Sequence, residues 1–135
     1  MKTEYFDLKN KRALVSGGAS GIGSSIVEHL CEQGVEVYFF DINKNEAKKT
    51  INKIKKKKFK TPSFVECNIK NIKKYKSSIL NIIKKQGPID ILVNNASNDQ
   101  RHSLEKITEK YWDDRMAINL KHYLFAIQSV KKSMI

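Results

Sequence analysis

The chain has 135 residues, room for one domain, and its 40 % hydrophobic content is enough for one sheet and a few helices. No apolar run approaches the roughly 18 residues of a membrane-spanning helix. The net charge of +12 attracts phosphate without reading sequence. Yet only Arg12, Arg101 and Arg115 are arginines, and the aromatics do not alternate with the lysines. The densest run, Lys55-Lys56-Lys57-Lys58, is therefore read as a solvated face, and nucleic acid is disfavoured as a partner.

The first run, about Arg12–Ser16, is short and apolar, as a buried strand is. Ser16-Gly17-Gly18-Ala19-Ser20-Gly21-Ile22-Gly23 ends it, and Ile22, Ile26, Val27 and Leu30 then recur on one helical face to about Gln33. A glycine turn between strand and helix brings bare backbone up to a pyrophosphate and aims the helix N-terminus at the anion. Gly34 is the expected stop of this helix. A second strand, about Val35–Asp41, ends on an acid 18 positions after Gly23. A dinucleotide fold holds its ribose hydroxyls at about that spacing. An ordinary loop or a capping aspartate accounts for either feature alone; the pair points to a dinucleotide.

Asn43 is placed to cap a second helix carrying Ala47, Ile51 and Ile54, and Pro62 leads into a third strand, Ser63–Cys67. Asn71 is placed to cap a third helix to about Gln86, with Ile72, Tyr75, Ile79, Ile82 and Ile83 on one side, broken by Gly87-Pro88. Ile89–Val93 reads as a fourth strand, followed by a polar loop from Asn94 to Ser103. Helical material follows, bearing Leu104, Ile107, Trp112, Met116, Leu120, Tyr123, Leu124, Ile127 and Val130. His122 is expected on the helix surface. Cys31 and Cys67 lack metal-ligand spacing and are expected as free, buried thiols, with no metal site.

The alternation of strand and helix predicts an α/β fold: a Rossmann-type, doubly wound parallel sheet with helices on both faces and strand order 3-2-1-4. Residues 1–135 form one domain in this reading. The ligand crevice falls at the carboxyl ends of strands one and four, where the order reverses.

These motifs resemble the short-chain dehydrogenase/reductase family over Lys11–Met134. Ser16 to Gly23 follow its Thr-Gly-x-x-x-Gly-x-Gly pattern, Asn94-Asn95-Ala96-Ser97 its Asn-Asn-Ala-Gly motif, and Asn119 its helix asparagine. The resemblance implies that Ser16, Gly17, Ser20, Gly21, Ile22 and Gly23 serve the adenosine and pyrophosphate. It puts Asp41 on the ribose, favouring NAD over NADP because a carboxylate repels a 2′-phosphate. Ile42 lies beside the adenine, Asn68 and Ile69 at its amino group, and Asn95, Ala96 and Ser97 by the nicotinamide ribose. Asn119 enters as the one catalytic residue, through the family's proton relay. Ser16, Asn68 and Ser97 stand where the family usually has Thr, Asp and Gly.

The family's Ser and its Tyr-x-x-x-Lys pair exchange the substrate proton. They lie beyond Asn119, after which 16 residues follow. Tyr5 with Lys9, and Tyr111 with Arg115, share the pair's spacing but precede Asn119. The chain is therefore expected to be the cofactor-binding half of an oxidoreductase, unable to turn over alone, of low stability and with an open edge at strand four. The full-length form is expected to be cytoplasmic and oligomeric, with an alcohol, ketone or sugar as substrate. The wording of Ser97-Asn98-Asp99-Gln100-Arg101-His102, with Tyr111-Trp112-Asp113, is similar to the family's sugar 1-dehydrogenases. That implies polyol contacts at Asn98, Asp99, Arg101 and His102, although a loop that bonds only itself is the plainer reading. A non-catalytic nucleotide-binding module and a 3-oxoacyl-carrier-protein-reductase-like enzyme are the alternatives.

Overall fold

The computed structural model describes residues 3–134; Met1, Lys2 and Ile135, the ends of the 1–135 domain range, lie outside the described residues. Strands β1 (Arg12–Ser16), β2 (Glu36–Asp41), β3 (Ser63–Glu66) and β4 (Ile91–Asn94) form one sheet in the order β3-β2-β1-β4. All pairings are parallel, with Leu14 opposite Tyr38 and Leu92, and Phe40 opposite Val65. Period-two alternation sorts the strand residues onto two faces. Ala13, Val15, Val37 and Phe39 pack with Val27 and Cys31 of α1 (Gly21–Glu32) and with Ala47 and Ile54 of α2 (Lys44–Lys56). Leu14, Tyr38 and Phe40 pack on the opposite face with Tyr75, Ile79 and Ile82 of α3 (Ile72–Gln86). Fully burying a side chain such as Phe39 or Phe40 contributes about 2–3 kcal/mol. Both cysteines are free and buried, as expected.

The helix ends follow their local chemistry. Asn43 accepts from the Glu46 amide and Asn71 from the Lys74 amide, capping α2 and α3. Gly34, at φ 79°, takes the left-handed position just past α1. β4 starts two residues later than the sequence suggests: the Ile89 amide goes to the Ser133 hydroxyl at 3.4 Å, and the Arg12 amide bonds the Asp90 carboxylate at 2.8 Å.

The final helical segment departs further. Leu104–Lys106 is a single 3-10 turn, and helix α4 (Glu109–Met116) begins only after Thr108, whose hydroxyl accepts from the Tyr111 amide. A π-helical turn, Ala117–Lys121, joins α4 to α5 (His122–Val130). His122 is not on the surface: it is fully buried, together with Ala126 and Val130, while Trp112, Leu120 and Leu124 are 58 %, 55 % and 55 % exposed. α5 packs against α3 through Ala126 and Ser129, whose small side chains let the two helices approach, while Leu124 and Ile127 remain exposed.

Candidate functional site

The carboxyl ends of β1, β2, β3 and β4 open onto one cleft of about 490 Å³. Gly17, Ser20, Ile22, Gly23, Asp41, Ile42, Asn68, Ile69, Asn95, Ala96 and Ser97 line it. These are eleven of the thirteen residues expected to hold the cofactor. Of the other two, Ser16 lies buried beneath the floor and Gly21 sits in the turn at φ 54°. A larger hollow, about 790 Å³, runs along α4 from Thr108 to Lys121 but includes neither the glycine turn nor a strand end.

The turn needs its glycines for different reasons. Gly17 has φ 67°, the left-handed region, and a Cβ there would stand 2.8 Å from Ala96 Cα. A Cβ on Gly23 would stand 1.8 Å from the Gly17 carbonyl oxygen and 2.6 Å from Asn95 Nδ2. The bare backbone thus lets α1 begin against the turn. Ser20 precedes α1 without capping it, and the first turn carries no acidic residue. The N–H groups that a helix leaves unpaired at its start therefore have no side-chain acceptor, and Ser20, Ile22 and Gly23 line the cleft, as an anion site requires.

Asp41 reaches back to the turn. Its Oδ2 accepts from the Ala19 amide at 3.0 Å, and its Oδ1 accepts from the amides of Ile42 at 2.8 Å and Asn43 at 3.0 Å. Asn68 Oδ1 accepts from the Lys70 amide at 3.0 Å, which fixes the corner after β3. Asn95 Nδ2 donates to the carbonyls of Ser16 at 3.1 Å and Gly17 at 3.0 Å, tying β4 to the turn. The Ser16 hydroxyl in turn accepts from the amides of Asn95 at 3.0 Å and Ala96 at 3.1 Å. Serine at this position keeps the oxygen the motif needs.

Asn119 lies in the π turn and clamps the exit loop. Its Oδ1 accepts from the Asn98 amide at 2.8 Å and its Nδ2 donates to the Asn98 carbonyl at 3.0 Å. It reaches the cleft through Asn98 and Ile118, which line it. Of the loop residues singled out for polyols, Asn98 and His102 bond within the protein. Asn98 Oδ1 accepts from the Gln100 amide, and the Tyr111 hydroxyl donates to the Gln100 carbonyl at 2.6 Å. His102 stacks on Tyr111 at 4.1 Å, and the Arg115 guanidinium lies 4.9 Å from the same ring.

The sequence does not single out Phe40, Cys67, Lys70 and Ile118 as lining residues, and it offers Asn98 for the substrate and not for the cofactor. Each is adjacent in sequence or nearly so to a residue that it did find, so proximity to a strand end was the available signal. Burial pushes the Cys67 thiol upward, so the cleft contains no ready thiolate there. Lys70 reaches across the rim to Asp114 of α4 at 2.7 Å and holds that carboxyl below its ordinary range. Among the described residues no cluster of His, Cys, Asp and Glu can hold a metal ion, and no helix is long and apolar enough to cross a membrane.

A parallel sheet in this order, with a glycine turn and an acid meeting at its switch point, defines a Rossmann-like fold of the nucleotide-binding kind. The family model described as short chain dehydrogenase matches residues 11–135, and the chain belongs to that family. It is 37 % identical over 96 % of its length to D-xylose 1-dehydrogenase of Caulobacter vibrioides, covering 50 % of that protein. It is 33 % identical over 93 % of its length to the 3-oxoacyl-[acyl-carrier-protein] reductase FabG of Staphylococcus epidermidis, covering 52 % of it. The aldohexose dehydrogenase of Thermoplasma acidophilum superposes with a TM-score of 0.80 at 28 % identity, over 96 % of this chain and 46 % of that one. The chain spans about half the length of the curated relatives it matches.

Proposed function

We propose that this chain provides the cofactor-binding half of an NAD-dependent short-chain oxidoreductase that acts on an alcohol or carbonyl group, with an aldose sugar as the favoured substrate class. The observation that carries the reading is Asp41 beside the glycine turn, bonded at 3.0 Å to the Ala19 amide within a cleft of dinucleotide position. The turn and the start of α1, Gly21 to Gly23, would hold the pyrophosphate. Asp41 would hold the adenosine ribose and disfavour a 2′-phosphate, so NAD is preferred to NADP. Ile42, Asn68 and Ile69 would receive the adenine, and Asn95, Ala96 and Ser97 the nicotinamide side. When bound, the cofactor supplies the hydride-transfer chemistry.

Asn119 acts here by clamping Asn98 at the substrate end. In the family a Ser and a Tyr-x-x-x-Lys pair move the substrate proton; between Asn119 and Ile135 the one tyrosine, Tyr123, has Ile127 at the lysine spacing. The sugar preference rests on the xylose and aldohexose dehydrogenases among the similar proteins.

Titration of the 135-residue chain with NADH and NADPH, read by nicotinamide fluorescence, tests the reading. NADH is expected to bind the more tightly, and Asp41→Ala is expected to cut the preference about tenfold, or roughly 1.4 kcal/mol. Equal affinities in the unaltered chain would remove Asp41 from the discriminating role. An absence of binding to either coenzyme would overturn the proposal.

A further inference from the structure

Beneath the cleft floor lies a polar side chain that the family motifs do not include. His122 is fully buried, against Ser16 of β1, Tyr75 of α3 at 6.0 Å between ring centroids, and Tyr123 of its own helix at 4.4 Å. Burying an imidazole costs free energy unless its nitrogens find partners. Nε2 lies 3.3 Å from Ser16 Oγ. Nδ1 makes no hydrogen bond of ordinary geometry and has the Ile118 carbonyl, one turn back, as its polar neighbour.

Counting at Ser16 fixes the tautomer. A hydroxyl has one proton to donate and two lone pairs to accept with. The amides of Asn95 and Ala96 occupy both lone pairs. The Ser16 proton is left to donate, and two acceptors lie within reach, His122 Nε2 and the Tyr75 hydroxyl. An imidazole nitrogen is much the stronger acceptor of the two, so the proton goes to His122. Nε2 is then the bare nitrogen, and the ring proton sits on Nδ1, toward Ile118.

Resting on the cofactor-cleft reading above, we infer that His122 is a positioning residue. As the neutral Nδ1–H tautomer it orients the Ser16 hydroxyl, which then holds the Asn95 and Ala96 amides at the nicotinamide end of the cleft. Charging His122 would aim an N–H at an oxygen whose lone pairs are taken, so one of the two amides would have to let go. The titratable groups packed around it are Tyr75 from α3, Tyr123 from α5 and, behind Tyr75, Cys67 at the end of β3. No acidic side chain among the described residues stabilises its charged form. Burial accordingly holds its pKa below the ordinary 6.5.

Three measurements on the 135-residue chain test this. Long-range proton–nitrogen NMR of the imidazole is expected to report Nδ1 protonated and Nε2 bare near neutral pH. Amide hydrogen exchange at Asn95 and Ala96, corrected for intrinsic rates, is expected to speed up as pH falls below 6.5. In His122→Gln the side-chain oxygen replaces Nε2 as acceptor, so exchange should stay within about threefold of the unaltered chain and lose that pH dependence; in His122→Leu it should rise about tenfold. NADH affinity should follow the same order. A protonated Nε2, or equal exchange in the Gln and Leu variants, would overturn the inference. If His122→Leu does not fold, the tautomer and the pH profile of the unaltered chain decide alone. Because tautomer and exchange need no ligand, a chain that meets them yet fails to bind NADH overturns the proposed function and not the role of His122.

Discussion

On the side of the cleft proposed for adenosine, burial closes the structure: Asp41 joins the glycine turn to the start of α2, and Val27, Phe39 and Ala47 are fully buried beneath it. On the side proposed for nicotinamide, polar ties run to the last helical segment: Ser16 with His122, and Asn98 with Asn119. There the helices from Glu109 to Val130 leave Trp112, Leu120 and Leu124 more than half exposed, and β4 lies at the sheet edge. The adenosine side is thus a self-sufficient unit, while the nicotinamide side is held by a few specific polar ties. Substitutions should separate the two.

The largest effect is expected where the two sides touch. Gly23→Ala forces a methyl against the Gly17 carbonyl and the Asn95 amide. It should lower stability by about 3 kcal/mol in denaturant unfolding and abolish NADH binding. An unchanged midpoint would mean that the turn and β4 are not packed together as described.

Asn119→Ala removes both ties to Asn98. Stability should fall by about 2 kcal/mol, with hydrogen exchange accelerated around Asn98 and unchanged at Ala19 and Asp41. Equal loosening at Ala19 would erase the distinction between the sides.

Glu28 anchors the adenosine side, where Lys53 and Lys57 both pair with it and hold its carboxyl below 4.5. The folded state then binds fewer protons there than the unfolded one, so this stabilisation is present above pH 4.5 and is lost as the pH drops below it. Glu28→Gln should cost about 1 kcal/mol at neutral pH and flatten the acid limb of the stability curve. A limb of undiminished slope would assign acid sensitivity elsewhere.

The smallest stability effect is expected for Leu120→Ser with Leu124→Ser, within about 0.5 kcal/mol, since both side chains are more than half exposed. Sedimentation should nonetheless show less self-association. A large loss of stability would place that face inside the fold.

Most of the adenosine side was legible because its signals are local. The asparagine caps at 43 and 71 act within three residues of chain, and the glycine turn and the acid at 41 each sit at a strand end that the sequence marks. The last helix was not legible, for a physical reason. Reading by hydrophobicity selects Leu120, Leu124, Ile127 and Val130; of these only Val130 is buried, and its companions are His122, Ala126 and Ser129. Both sets have helical spacing. Small side chains won the inner face because α3 lies close, and His122 joined them by bonding Ser16. The π turn before them also shifts the helical phase, which a fixed period does not anticipate. The polyol loop was half legible: Asn98 and His102 were found, but Asn98 bonds Gln100 and Asn119, and His102 stacks on Tyr111 of α4.

The carboxylate at 41 offers roughly four lone-pair seats. Three are already filled by main-chain donors, two on Oδ1 and one on Oδ2. Any vicinal diol arriving there finds a single vacancy, on the oxygen that also grips Ala19. Guest selection and the anchoring of the bend therefore draw on the same atom, and deleting that acid would slacken its surroundings at the same moment that it relaxed the choice of guest.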